Sequence, residues 1–173
     1  MPGAPSGTPD DPAADVEDSR AVRALRALGV PHVARRHPPA GSLAEAAELR
    51  GLRPADIVKT MVVRRGADDF LFVLLGGDRE ISWPKLRALL GVTRLSMPDA
   101  ATALEVTGYP RGAITPFGAS HAWPVYVDAD VPGRRISMGG GELGLAIALD
   151  ADDVITALGA TVADLAADPA ADR

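Results

Sequence analysis

The sequence predicts an α+β domain: a mixed, mostly antiparallel sheet or partly closed barrel flanked by short helices. Three observations carry this expectation. Strand-like apolar runs do not alternate strictly with helices, which disfavours a doubly wound parallel sheet. The helical segments are short, and most open at a residue that can cap them and close at a glycine. The chain has 173 residues, enough for one compact core and too few for two comfortable ones.

Met1 to Asp18 mixes Pro, Gly, Ala, Asp and Ser without apolar periodicity and reads as a disordered tail. Ala166 to Arg173 reads as a flexible C-terminal tail, which leaves a folded domain over residues 19–165. Ser19 opens a helix over Arg20 to Leu28, with Val22, Leu25 and Leu28 at helical spacing and Gly29 as its stop. Ser42 and Glu45 form a capping box for a second helix that ends before Gly51. Further helices are expected over Pro84 to Leu90, Pro98 to Val106 and Ala151 to Leu158, closed by Gly91, Gly108 and Gly159. Val58 to Arg64 and Phe70 to Leu75 read as a hairpin joined through Arg65 to Asp69. Val125 to Asp128, Arg134 to Met138 and Leu143 to Leu149 complete the main strands, with Thr93 to Ser96 and Gly112 to Thr115 as shorter candidates.

Composition narrows the chemistry. Apolar residues make up 47% of the chain, but only two Trp, two Tyr and three Phe are among them, so the core is aliphatic and close-packed. No apolar run is long enough to span a membrane and the N-terminus is acidic and Pro-rich, so the expected location is cytoplasmic, with no membrane partner. There is no cysteine, which excludes disulfides, thiol catalysis and thiolate metal sites, and three scattered histidines make a poor zinc site. A net charge of −5 argues against a protein wrapped in nucleic acid. Basic residues nevertheless recur through the middle, at Arg20, Arg23, Arg26, Arg35, Arg36, Lys59, Arg64 and Arg65, so a local basic face is compatible with an acidic total.

Most familiar catalytic signatures are missing. Gly139, Gly141 and Gly144 have the spacing of a dinucleotide fingerprint, but they run from one strand into another and open no helix, so a hairpin turn is expected there. Lys59 lies in a strand amid Ile57, Val58, Met61, Val62 and Val63. Its ammonium either holds a phosphate or developing oxyanion, or snorkels from the strand edge into water. His37 is either a pocket group or a half-buried structural histidine. The segment from Gly108 to Gly118, GYPRGAITPFG, holds three glycines and two prolines, and its stretch from Gly112 to Pro116 can present consecutive backbone amides in a fixed curve. It is either a ligand-facing loop or a surface turn.

Taken in order, several motifs resemble the YbaK/EbsC family, which includes the prolyl-tRNA synthetase editing domain and its freestanding relatives. They are Val58-Lys59-Thr60, Gly76-Gly77-Asp78-Arg79-Glu80-Ile81, Lys85-Leu86, Leu90-Gly91-Val92, Thr107-Gly108-Tyr109, Gly112 to Gly118, Pro124 to Asp128, Ile136 to Gly140 and Gly144-Leu145. Each is weak alone; the ordered set runs from about Gly29 to Leu165.

The resemblance implies hydrolysis of the ester between a wrong amino acid and its tRNA by a small domain acting in trans, on substrates like Cys- or Ala-tRNAPro. It implies Lys59 and Gly112 as catalytic positions. Thr60, His37, Ala113, Ile114, Thr115, Pro116, Phe117, Gly118, Ser137, Gly139 and Gly140 are the implied substrate contacts. It implies no metal and no cofactor, the aminoacyl-tRNA acceptor end as partner together with prolyl-tRNA synthetase, and a monomer or homodimer. Two departures bear on amino-acid preference: Ala146 stands where some relatives have an acidic residue, and Arg35 where some have an aromatic one. The alternative from another class is a non-catalytic module that binds a nucleotide or aminoacyl-tRNA beside a synthetase.

Overall fold

The computed structural model describes residues 19–168. The segment expected as an N-terminal tail lies outside them, as do residues 169–173 of the expected C-terminal one. The described part is an α+β fold with two sheets that do not close into a barrel.

Helix α1 (Arg20–Ala27) buries Ala21, Val22 and Leu25 and stops at Gly29. Ser19 precedes it, but its hydroxyl does not cap the helix; it donates to the Gly140 carbonyl at 3.0 Å. Strand β1 (Val33–Arg36) follows, then α2 (Leu43–Arg50), capped by the Ser42 hydroxyl on Glu45 N–H and ended by left-handed Gly51. Glu45 reaches back to the Gly41 amide rather than to Ser42. A 3₁₀ turn over Pro54–Asp56 leads into β2 (Val58–Gly66) and β3 (Asp69–Gly76). Helices α3 (Trp83–Leu90) and α4 (Ala100–Thr107) precede β4 (Val125–Asp128), β5 (Arg135–Gly139), β6 (Leu145–Asp150), α5 (Ala151–Leu158) and β7 (Thr161–Ala163).

One sheet has the order β1-β6-β5, antiparallel throughout; the other is β2-β3-β4-β7. β2 and β3 form an antiparallel hairpin with a register shift between Arg64 and Gly66, and β3-β4 and β4-β7 are parallel. A parallel bridge between Ile57 and Ser137 brings the start of β2 beside β5, where the two sheets meet.

β3 explains the layering. Its run DFLFVLLG is buried on both faces, as a central strand covered on each side must be. Phe70, Phe72 and Leu74 join the larger core with α1, α5 and the three-stranded sheet, while Leu71, Val73 and Leu75 pack with Leu86 and Leu165 in a smaller one.

Several expectations change. Thr93 to Ser96 makes only a single bridge, Ser96 to Arg64, and Gly112 to Thr115 is not a strand. β1 and β7 were not expected: β1 carries two arginines and β7 has three residues, so neither shows an apolar alternation. Ala166 is not frayed. It is fully buried, bridges Ile81, and its amide donates to Asp128 Oδ1 at 3.2 Å, because that buried carboxylate holds the chain end in place.

Candidate functional site

The segment from Gly108 to Gly118 is braced from within and from outside. Thr107 Oγ1 accepts the Tyr109 amide, and the Tyr109 hydroxyl donates to the Phe117 carbonyl at 2.7 Å, closing the loop on itself. Tyr109 is buried, and burial pushes its phenol up, which suits a donor. The Arg20 guanidinium donates to the carbonyls of Gly108 and Gly118 and sits 4.8 Å from the Tyr109 ring centroid. One side chain from α1 thus ties both ends of the loop. The hairpin between β5 and β6 holds the middle, with the Gly141 amide donating to the Ala113 carbonyl at 2.9 Å.

This bracing fixes a backbone that still has free donors. Ala113 N–H bonds the Pro110 carbonyl, but among the described residues nothing accepts from the amides of Gly112 and Ile114. Gly112 has φ +91°, a conformation side chains rarely adopt, and a Cβ there would meet Leu143 at 3.4 Å.

Gly112 lies on the wall between two cavities. The first, of about 280 Å³, is lined by Lys59, Thr60, Met97, Arg111, Gly112 and Ile114 among others. Thr60 Oγ1 is buried there without a hydrogen-bond partner, and Lys59 Nζ lies 3.5 Å from Glu80 Oε1. Glu80 is 81% exposed, so this pair is held weakly and the ammonium is available to a stronger anion. The second, a cleft of about 850 Å³, runs from Gly112 and Leu143 to His37 and Arg50. His37 and Arg50 also line a side pocket of about 270 Å³, with Arg35, Ser137 and Ala146.

The structure therefore brings together Lys59, Thr60, Gly112 and Ile114 around one cavity, joins His37 to Gly112 along the next, and puts Ser137 with His37 in the third. The other expected contacts line none of the three. Ala113, Thr115 and Phe117 are buried, and Phe117 belongs to the larger core. Gly118 and Gly140 spend their carbonyls on Arg20 and Ser19. Pro116 and Gly139 are half-buried, and a Cβ on Gly139 would meet the Ile114 carbonyl at 3.4 Å. Five of these residues belong to the loop itself, whereas Gly139 ends β5 and Gly140 follows it.

Arg50 is the group that sequence reading missed. It ends α2 next to a glycine cap, where a basic residue reads as an ordinary partner of the helix dipole. In the fold its side chain turns onto β5 and donates to Ser137 Oγ at 3.2 Å. Burial pulls its guanidinium below the ordinary arginine value, although arginine stays protonated at any ordinary pH. His37 is pulled down by burial first, then by the charges of Arg50 and Arg35. His121 is exposed, and His32 is half-buried with Nδ1 at 2.7 Å from the Val30 carbonyl.

The chain is similar to several known proteins. A solved structure assigned provisionally as a trans-editing enzyme for prolyl tRNA synthetase is 26% identical with a TM-score of 0.78, over 91% of this chain and 99% of that one. The hypothetical protein APE2540 is 27% identical with a TM-score of 0.79, over 86% and 99%. Proline--tRNA ligase of Kosmotoga olearia is 31% identical over 132 residues, 76% of this chain and 20% of that enzyme. The corresponding ligase of Thermosipho africanus is 34% identical over 103 residues, 60% of this chain and 17% of that enzyme. The chain thus spans about a fifth or less of the length of these ligases. Among the described residues no helix is long and apolar enough to cross a membrane. The aminoacyl-tRNA editing domain profile matches residues 37–157, a span that holds Lys59, the Gly112 loop and the cleft between them, and the chain belongs to the aminoacyl-tRNA editing domain family.

Proposed function

We propose that the chain is a trans-acting hydrolase that deacylates mischarged aminoacyl-tRNA in the cytoplasm, with substrates like Cys- or Ala-tRNAPro. The carrying observation is the place of Gly112, whose free amide lies on the wall shared by the Lys59 cavity and the His37 cleft. The acceptor end enters this groove. The Lys59 ammonium holds a phosphate or the ribose end of the terminal nucleotide, and the unpartnered Thr60 hydroxyl supplies a hydrogen bond beside it. Amides around Gly112 donate to the ester carbonyl oxygen as negative charge develops on it, a role for which one donor is typically worth about 2.7 to 4 kcal/mol. Water, or a hydroxyl or side chain of the substrate, attacks the carbonyl carbon. The bond to the ribose oxygen then breaks, that oxygen takes up a proton, and in the hydrolytic route free amino acid and tRNA leave.

The reaction runs on positioning and backbone donors without a metal. Among the described residues no group of three or more His, Asp or Glu side chains is arranged to hold a metal. Activity is expected to persist after exhaustive chelation once the Mg²⁺ that folds tRNA is restored, and activity restored only by Zn²⁺ contradicts it.

One observation favours a non-catalytic module that binds the acceptor end, alone or beside prolyl-tRNA synthetase: among the described residues no carboxylate or imidazole lines the Lys59 cavity to act as a general base. A deacylation panel with Cys-, Ala- and Ser-charged tRNAs separates the two readings. The hydrolase releases at least one amino acid well above the uncatalysed rate; the module binds tRNA and releases none.

A further inference from the structure

Three side chains of the pocket between β1, the end of α2 and β5 have no place in the reaction just described. Arg50 is the first. Its only partner among the described residues is the Ser137 hydroxyl at 3.2 Å, and no carboxylate lies within ion-pair distance. Most of its five N–H donors are therefore free in a half-buried setting. Ser137 is the second. It is 3% exposed, and since its oxygen accepts from Arg50, its own hydroxyl hydrogen remains to be donated. Arg35 is the third, exposed at the rim and likewise without a carboxylate, whereas Arg135 beside it is paired with Asp150 at 3.3 Å.

Holding an unpaired guanidinium half out of water is costly unless something of opposite charge meets it. The end of α2 supplies only a partial negative charge. A guanidinium fork next to a hydroxyl donor matches a group with two or more oxygens sharing a negative charge. The pocket of about 270 Å³ opens beside the 850 Å³ cleft, which has the size of a nucleoside or aminoacyl site, so it takes a small appendage of what the cleft holds.

We propose that Arg50 and Ser137 form an oxyanion subsite at the end of the cleft, for a nucleotide phosphate of the acceptor strand or a carboxylate on the aminoacyl side chain. The subsite rests on the reading of the cleft as the seat of the acceptor end. The two sources share one chemistry and differ in where the charge sits on the substrate.

Binding to the full chain tests it without any turnover. Four ligands are titrated by NMR: adenosine, adenosine 5′-monophosphate, and non-hydrolysable amides of adenosine with alanine and with aspartate. A charge-assisted pair at this site is expected to give about tenfold tighter binding of one anionic ligand than of its neutral counterpart. In Arg50→Gln that preference should vanish, and in Arg50→Lys, which keeps the charge but not the fork, it should fall part of the way. A preference for the monophosphate identifies a phosphate subsite, and one for the aspartyl amide a carboxylate subsite. No preference in the wild type, or one unchanged in folded Arg50→Gln, overturns the proposal; should Arg50→Gln not fold, an undiminished preference in Arg50→Lys does so. A protein that shows the preference yet deacylates nothing overturns the hydrolase reading and leaves the subsite standing.

Discussion

Two groups of arginines flank β5, and they are treated differently. On one side Arg79 lies 3.4 Å from both Asp128 and Asp130. Arg134 lies 3.2 Å from Asp130 and 3.6 Å from Asp56, and Arg53 closes the chain on Asp56 at 2.9 Å. Every guanidinium there meets a carboxylate. On the other side Arg50 has one hydroxyl, and Arg35 has no partner among the described residues. The first group is scaffold: its charges cancel, and Asp128 also accepts the amides of Leu165 and Ala166. The second group faces a cleft with its charge uncancelled. The proposed subsite rests on this difference at Arg50, which is half-buried and faces a pocket.

The largest effect expected from breaking this contrast is on the paired side. Asp128→Ala removes an ion-pair partner and leaves two buried amides without an acceptor, a loss of about 3 to 5 kcal/mol in stability. Turnover per folded molecule should stay near wild type, because Asp128 lines none of the three cavities described above. Denaturant unfolding beside single-turnover deacylation checks both halves. A loss of turnover without a loss of stability would move this network into the site.

On the cleft side the pattern should invert. Gly112→Val places a branched side chain at φ +91° against Leu143 and over the free amides, so turnover should fall by about 10²- to 10³-fold. Ala113→Gly, which adds no atoms, should be far milder. Normal deacylation by a folded Gly112→Val protein would end the case for this loop as the site wall. Lys59→Ala should act less strongly, lowering turnover by about 10- to 150-fold, the range for a hydrogen bond to a charged group. Its melting temperature should barely move, since its only ion pair among the described residues is with a largely exposed glutamate.

The same contrast explains what was legible in the sequence. The helices were readable from local signals, the Ser42 cap and the left-handed glycines Gly51, Gly91 and Gly108, whereas the expected starts at Pro84 and Pro98 give way to Trp83 and Ala100, where Ser82 and Asp99 cap. β3 was readable from its apolar run. Motif spacing singled out Lys59 and Gly112, and the fold places both on one cavity. The site was illegible where a side chain acts across a long separation. Arg20 braces a loop some 90 residues away, and Arg50 meets Ser137 across 87 residues. Nothing local distinguishes either from a solvated arginine. Phe117 and Thr115 read as contacts because their motif is at the cleft, but Phe117 lies in the larger core and Thr115 is buried with its Oγ1 accepting the Phe117 amide.

The smallest expected effect is the most specific to the unpaired charge, because a guanidinium neutralised by a carboxylate projects little field onto its neighbours. His37 is the reporter. Burial and then Arg50 and Arg35 hold its imidazole below the usual value near 6.5. The unfolded chain therefore takes up the proton first as pH falls. The stabilisation that neutral His37 contributes is complete above that unfolded value and is lost as pH drops from there through the lower folded one. Arg50→Gln should raise the folded value only part of the way, since burial is the larger cause and Arg35 remains. Arg134→Gln, which removes a guanidinium already paired with carboxylates, should leave it in place. Ring-proton NMR titrations of the three proteins measure this directly. A His37 that does not respond to Arg50→Gln would mean that the Arg50 charge is already neutralised, and the distinction between the two arginine groups would fall.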